Sequence, residues 1–335
     1  MAEDLKPLIA VTMGDPAGVG PEIVVKVVNH PEVYARARVL VIGDRRMLER
    51  AAPWAGEARV QVEAVDAPEQ GTYPPRTITL LDLGNADPAE IAPGRLSAAA
   101  GRAAVEYVLR ACDLALAGDV DAVVTAPLNK EAMRLAGYAY PGHTELFAER
   151  TGAPRVSMLL TGPGLSVVHV STHVSLAEAI RRVTTERVAE VIDLAQRSCL
   201  ALGVAEPRIA VAGLNPHASE SGLFGDEEAR FVVPAVQQAQ ARGLKVSGPL
   251  PPDTVFLRAS RGEFDIVVAM YHDQGHIPMK LLGFESGVNV TMGLPIIRTS
   301  VDHGTAFDIA GTGKASEASL AAAIDVAVKM VHARG

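Results

Sequence analysis

The stretch LIAVTMGDPAGVGPEIVVKVV, residues 8–28, decides the fold. Residues 8–13 form a run of strand length that is apolar except for Thr12. A glycine-rich turn follows, Pro21 suits a first helical position, and residues 22–28 continue as an apolar helix. Strand, tight loop and helix in that order predict an α/β architecture with ligands at the carboxyl ends of strands. Outward from this unit the same alternation repeats. Apolar runs at 39–42, 77–83, 122–125, 156–160, 165–170, 209–212 and 266–270 read as strands. Ser97 caps a helix that runs through residue 117 and closes at Gly118, and helical patterns cover 185–202, 227–242 and 316–333. Residues 70–76 and 248–253 are Pro/Gly-rich loops, and no repeat or low-complexity segment interrupts the chain.

The chain has 335 residues, and a single core stops growing at about 250–300 residues, so two domains are expected. Hydrophobic residues make up 48% and aromatics only 4%, so Ala, Val, Leu and Ile must fill the core. The formal net charge is −8, and no basic run exists to follow a nucleic-acid backbone. Any phosphate site must therefore be a local basic pocket in an acidic molecule. The N-terminus carries two early acids before a short apolar run, unlike a signal peptide, and nothing approaches the ~18 apolar residues of a membrane span. Cys112 and Cys199 lie in helical patterns without CxxC spacing and read as buried free thiols, suiting a cytoplasmic setting.

The histidines carry the functional reading. His173 in STHVSL, His217 in GLNPHASE and His272 in YHDQGH each follow directly on an apolar strand. Three neutral imidazoles converging from strand ends can hold Zn²⁺ or a similar divalent ion and leave a position for substrate. Acid–base catalysis by His173 and His272 is the metal-free alternative. Asp273 can orient an imidazole, ligate a metal or cap a loop. His169 lies inside a strand and is expected to be a satisfied structural histidine. Residues 272–315 are polar and glycine-rich for their apolar setting. There Lys280 offers a point charge, Arg298 a bidentate fork for carboxylate or phosphate, and Asn289 further hydrogen bonds. His143 and Thr144 in YPGHTE form another polar tip, with helix capping the alternative for Thr144. Two glycine-rich segments can approach a cofactor: GDPAGVGPE, where Gly14, Gly18 and Gly20 lack dinucleotide-fingerprint spacing, and DHGTAFDIAGTG at 302–313.

Taken together, VTMGDPAGVGPE, TAPLNKEAM, YPGHTE, STHVSL, GLNPH, GPLPPDTVF, YHDQG and GLPIIRTSVDHGTAFDIAGTG resemble the 4-hydroxythreonine-4-phosphate dehydrogenase family of pyridoxal phosphate biosynthesis. The resemblance runs from residue 11 to about residue 316. It implies an isocitrate/isopropylmalate-dehydrogenase-like, two-domain α/β/α fold, not a Rossmann fold, in a homodimer. One domain would comprise residues 1–128 and 290–335, the other 129–289 with the metal ligands and dimer contacts. His173, His217 and His272 correspond to divalent-metal ligands (Zn, Mg, Mn or Co) shared across the dimer interface. His143, Thr144, Lys280, Asn289 and Arg298 correspond to substrate-binding positions. Gly14, His303, Gly304, Thr305, Asp308 and Gly311 fall in the segments expected to meet NAD or NADP, in a cleft between the domains. The implied reaction oxidises 4-hydroxy-L-threonine 4-phosphate to a 3-oxo acid that loses CO₂. Lys280 and Asp273 would be the catalytic side chains, with the proton acceptor either Asp273 or a metal-bound water.

Ala218-Ser219-Glu220, SGLFGDEE and GHIPMK look more like a second branch of the family, which resembles dehydrogenases of D-threonate or D-erythronate 4-phosphate. A relative acting on unphosphorylated dihydrodiols fits less well with Lys280 and Arg298. A metal-dependent lyase or hydrolase without NAD would explain the histidines but leave DHGTAFDIAGTG without a role. A non-catalytic binding protein would leave the whole polar set without one.

Overall fold

The opening stretch folds as strand β1 (Leu8–Thr12), a turn and the helix Gly20–Val28 with Pro21 in its first turn. The computed structural model describes residues 6–57, 59–283 and 286–334; the leading residues read against a signal peptide lie partly outside them. Further strands are β2 (Arg38–Gly43), β3 (Gln61–Val65), β4 (Thr77–Asp82), β5 (Ala122–Thr125), β6 (Ser157–Gly162), β7 (Leu165–His169), β8 (Arg208–Ala212), β9 (Lys245–Leu250), β10 (Ile266–Ala269), β11 (Val288–Met292) and β12 (Arg298–Val301). Two compact units result. Unit 1 runs to Val156 and resumes over Leu294–Ala333, and unit 2 is Ser157–Gly293.

Unit 1 carries the order β3-β4-β2-β1-β5-β12, with every pair parallel. A Rossmann sheet orders its strands 3-2-1-4-5-6, so the architecture is α/β but not Rossmann. The helix Ala98–Ala117 starts at Ser97, whose hydroxyl accepts from the Ala100 N–H, and ends at Gly118 in the left-handed conformation. Unit 2 carries the order β11-β6-β7-β10-β8-β9, antiparallel across β11, β6 and β7 and parallel beyond. Its core sets Leu160, Val167, Ala210 and Val267 against Val255, Phe256 and Met279 of two covering helices. Aliphatic side chains fill both interiors, as the scarcity of aromatics requires. Both cysteines are buried free thiols, and no helix among the described residues is long and apolar enough to cross a membrane.

Four strands lie outside the runs read from sequence. β3 is an edge strand in which Gln61 and Glu63 alternate with Val62 and Ala64 and only Val65 is buried. β9 is the other kind of edge strand, interrupted by Gly248 and Pro249. β11 and β12 carry Asn289 and Arg298 in otherwise strand-like sequence, and polar residues there hide the pattern. The compact boundary at 156/157 lies beyond the junction near residue 128 that the superfamily pattern implies. The reason is packing: the helices Lys130–Leu135 and His143–Thr151 both lie on Ala98–Ala117, and Arg150 forks onto Asp113 at 2.7 and 2.8 Å.

That packing is close at one glycine. A Cβ at Gly101 would lie 2.2 Å from the carbonyl carbon and oxygen of Ala132. Alanine is better than glycine in a helix by roughly 1 kcal/mol, yet the overlap with backbone dominates. Gly101→Ala is expected to lower the unfolding free energy by about 1–3 kcal/mol in urea titration; an unchanged or higher midpoint would show that the two helices do not meet this closely.

Candidate functional site

In unit 1 the loops leaving the carboxyl ends of β1, β5 and β12 lie together. Gly14, just after β1, has φ +74° and leaves no room for a side chain, since a Cβ would sit 2.5 Å from the Pro127 carbonyl oxygen. The Val19 N–H donates to the Thr305 carbonyl at 3.0 Å, and a Cβ on Gly18 would lie 2.9 Å from the Thr305 Cβ. The two glycine-rich segments read as cofactor candidates are thus packed on one another. Within the second, His303 Nδ1 donates to the Gly304 carbonyl at 2.9 Å while its Nε2 has no hydrogen-bond partner among the described residues. Gly304 and Asp308 are exposed, Thr305 is buried, and Gly311 rests on Pro93 and Trp54.

Three residues that sequence reasoning passed over hold this region. Lys26 Nζ donates to the carbonyls of Gly313 and Ala315 at 2.9 and 2.5 Å and to Glu22 at 2.9 Å; the Ala315 N–H donates to Glu22 at 3.0 Å. A Glu and a Lys four apart in an otherwise apolar, buried helix were the available signal. Asp15 is fully buried, takes the Ala17 N–H at 2.8 Å on one oxygen, and is pushed up to about 6 by burial. Its other oxygen has no partner among the described residues.

The same unit holds a buried cluster of basic and imidazole side chains. Arg298 is 2% exposed, donates to the Thr125 hydroxyl at 2.6 Å and stacks its guanidinium 5.6 Å from the Phe147 ring centre. Burial pulls it down to about 9, with Glu145 partly opposing. His143 is the first residue of the helix His143–Thr151. Burial, then the charges of Arg298 and Lys130, hold it well below its ordinary value, so it is neutral at pH 7. Its Nε2 is buried without a hydrogen-bond partner among the described residues. Lys130, inside TAPLNKEAM, belongs to this charge group although the residue reading omitted it. Thr144 follows His143, and the helix has no side-chain cap, which removes capping as its role. A buried fork, a second cation and a neutral imidazole suit one anionic group.

Unit 2 gathers a different set. The helix His272–Gly283 follows β10, and His272 Nδ1 donates to the Asp273 carboxylate at 2.7 Å. That bond leaves Nε2 with its lone pair, the arrangement that orients a metal-ligating imidazole. Asp273 is therefore an orienting group in this structure. The His173 ring lies 5.7 Å from that of His272. His276 stacks on His272 at 3.6 Å and 10°, and donates from Nδ1 to the His272 carbonyl at 3.0 Å. Behind it His169 is 4.8 Å from His276, made possible by Gly275, where a Cβ would lie 2.3 Å from His169 Nε2. His169 is not the satisfied histidine expected from its strand: neither ring nitrogen has a hydrogen-bond partner among the described residues. Burial, then His276 and His272, push it down to about 3.

His217 stands apart, 3.9 Å from Asp253 and 6.3 Å between ring centres from Phe224. No three His, Cys, Asp or Glu side chains of one chain form a metal-holding group among the described residues. The histidines read as metal ligands thus do not form such a group among the described residues of one chain. A position past a parallel strand fixes where a loop starts but not where it turns. The donors nonetheless suit a divalent ion, with two neighbouring imidazoles and one Nε2 freed by Asp273. Elsewhere in unit 2, Asn289 on β11 donates from Nδ2 to Met158 Sδ at 2.8 Å and leaves Oδ1 without a partner among the described residues, while Lys280 occupies the last turn of the helix His272–Gly283.

On an α/β fold, unit 1 thus gathers buried basic side chains with a neutral imidazole, and unit 2 gathers a set of imidazoles. The chain belongs to the pyridoxal phosphate biosynthetic protein PdxA family, whose model matches residues 35–327. It is 52% identical over 322 residues to D-threonate 4-phosphate dehydrogenase of Cupriavidus necator, covering 96% of both chains. It is 49% identical to 4-hydroxythreonine-4-phosphate dehydrogenase of Desulfosudis oleivorans, covering 98% of each. The crystal structure of 4-hydroxythreonine-4-phosphate dehydrogenase from Klebsiella pneumoniae superposes with a TM-score of 0.88 at 49% identity, covering 97% of this chain and 100% of that one.

The buried His169 has a consequence for acid stability. Between pH 6.5 and about 3 the unfolded chain binds a proton at this site that the folded chain does not, so stability falls as pH falls through that window. In chelator-treated protein, His169→Leu is expected to lose about 1–3 kcal/mol less than wild type between pH 6.5 and 4.5, read from urea midpoints. Parallel pH curves for the two proteins would contradict the assignment of a neutral buried imidazole.

Proposed function

We propose that the protein is an NAD(P)-linked, divalent-metal-dependent dehydrogenase of small phosphorylated hydroxy acids, with D-threonate 4-phosphate its preferred substrate. The observation that carries the reading is the buried Arg298 beside neutral His143, a pocket built for an anion inside an acidic chain. The choice of substrate follows the relatives: 52% identity to the Cupriavidus D-threonate enzyme against 49% to the Desulfosudis enzyme. Ser219 and GHIPMK point the same way. The second reading is 4-hydroxy-L-threonine 4-phosphate, in keeping with the Klebsiella structure; D-erythronate 4-phosphate is a third substrate of the same chemistry.

In this reading the substrate hydroxyl would give its proton to a base while the carbon that bears it would give its hydrogen as hydride to the nicotinamide, leaving a 3-oxo acid. The bond to the carboxylate then breaks, CO₂ leaves, and the electron pair passes into an enolate that is reprotonated. Arg298 and Lys280 hold phosphate or carboxylate and offset developing negative charge. His143, Thr144 and Asn289 hydrogen-bond the substrate, and the free polar atoms of His143 and Asn289 suit that task. Gly14, His303, Gly304, Thr305, Asp308 and Gly311 line the dinucleotide site. Glu22 and Lys26 hold that segment in place.

His173, His217 and His272 hold the ion. A divalent ion supplies Lewis acidity there, making the substrate hydroxyl easier to deprotonate. The family resemblance implies that the ligand set is shared with a second copy in a homodimer, and the lack of a three-residue metal group among the described residues of one chain is compatible with that. Leu257, Ile277, Leu281 and Leu282 are exposed along a groove of about 500 Å³ next to Asp273, an apolar surface suited to that second copy. The two free thiols support a cytoplasmic setting.

The test is NADH formation with Zn²⁺, Mg²⁺ or Mn²⁺ on D-threonate 4-phosphate, D-erythronate 4-phosphate and 4-hydroxy-L-threonine 4-phosphate. Turnover of D-threonate 4-phosphate with the highest kcat/KM is expected, and its abolition by chelator. Preference for the amino acid would establish the second reading. Silence with all three in metal-loaded protein would favour a lyase or hydrolase without NAD. Arg298→Met is expected to raise KM for the phosphorylated substrate at least about tenfold, with KM for NAD little changed; a proportionate rise in both would remove Arg298 from the substrate pocket.

A further inference from the structure

We infer that Glu228 and Ser219 form a clamp that positions His217, and that the metal affinity of the protein depends on it. The inference rests on the reading of His217 as a metal ligand and assigns a role to two residues outside the ligand set.

The backbone around His217 is unusual. His217, Ala218, Ser219, Glu220 and Ser221 have φ of 53°, 54°, 71°, 46° and 59°, so five successive residues are left-handed and none is glycine. L-residues other than Gly visit this region singly and at a cost, not in runs. Such a run persists only where its surroundings over-determine it.

Glu228 supplies the determination. It lies at the start of the helical turn Glu228–Val232 and is 2% exposed. One carboxylate oxygen accepts from the backbone N–H groups of Leu214 and Asn215 at 2.8 and 2.7 Å. The other accepts from Asn215 Nδ2 at 3.0 Å and from the Ser219 hydroxyl. Asn215 Nδ2 also donates to Glu227 at 2.7 Å. One buried carboxylate therefore ties the residues just before His217 to the middle of the left-handed run just after it. Gly213 completes the enclosure: a Cβ there would lie 2.8 Å from the Ala218 Cα and 3.2 Å from the Glu228 carboxylate.

His217 has much weaker side-chain supports of its own. It is more than half exposed, and its contacts are the distant Asp253 and Phe224 already described. The direction of its imidazole is consequently set by its backbone, and the backbone is set by the clamp. A ligand that must meet an ion without help from its own side-chain packing needs this kind of outer support, the loss of which typically costs about 10–100-fold in metal affinity.

Ser219→Gly separates the clamp from the strain. Glycine accepts φ of 71° freely, so the variant relieves the backbone while removing the hydroxyl that reaches Glu228. Glu228→Gln keeps the shape but turns an amide N–H toward donors. The experiment titrates chelator-stripped full-length protein with Zn²⁺ against a competing chelating dye, for wild type, Ser219→Gly, Glu228→Gln and His217→Ala, and records the apo melting temperature of each. The clamp predicts Zn²⁺ Kd raised about tenfold in Ser219→Gly with an apo melting temperature equal to or above wild type, and raised at least as much in Glu228→Gln. Wild-type Kd in Ser219→Gly, while His217→Ala binds weakly, would overturn the clamp and leave His217 a ligand. Wild-type Kd in His217→Ala would overturn both the ligand reading and the clamp. If Glu228→Gln does not fold, Ser219→Gly decides alone.

Discussion

In a parallel sheet each strand must be followed by a segment that crosses back over one face before the next strand can begin, so successive strands deliver their carboxyl ends to a common edge. Unit 1 is parallel throughout, and the loops after β1, β5 and β12 carry Gly14 and Asp15, Asn129 and Lys130, and His303 to Thr305 respectively. Packing of these loops on one another leaves little choice of side chain at Gly14 and Gly18, where backbone or Thr305 occupies the space a Cβ would need. The glycines of GDPAGVGPE serve close approach between loops, which explains why their spacing does not match a dinucleotide fingerprint.

Charge is then placed inside this apolar frame at a cost of several kcal/mol per buried ion. Glu22 and Lys26 offset that cost with each other and with backbone groups nearly the whole chain length away. Arg298 has Thr125, the Phe147 face and the field of Glu145. The neighbouring His143 stays neutral because burial, and then the charges of Arg298 and Lys130, disfavour its protonation, and its Nε2 is buried without a hydrogen-bond partner among the described residues.

Unit 2 solves a different problem, the orientation of imidazoles. Asp273 holds the edge of the His272 ring through Nδ1 and His276 stacks on a face of it, with His169 packed behind through the gap at Gly275. His217 is held by another device, a left-handed backbone closed around Glu228. Each imidazole is thus oriented by its own neighbours within the unit.

The amino-acid sequence by itself determined the α/β class, the first strand and helix, the long helix capped by Ser97 and closed by Gly118, and the polar positions worth watching. Those are local properties: apolar runs, capping residues and charges in apolar settings are legible within a few residues of each other. Arg298 was legible because it follows GLPII, and Asp273 because it adjoins His272. Only the tertiary structure decided that Lys26 reaches Gly313, that His169 packs behind His276, that Lys130 shares the field of His143, and that the described residues of one chain form no three-residue metal group. It also made strands of β11 and β12, where Asn289 and Arg298 interrupt the apolar pattern. Each of these outcomes depends on the direction a side chain or loop takes after its strand ends. That direction is set by packing between residues far apart in the chain, which periodicity along the sequence does not encode.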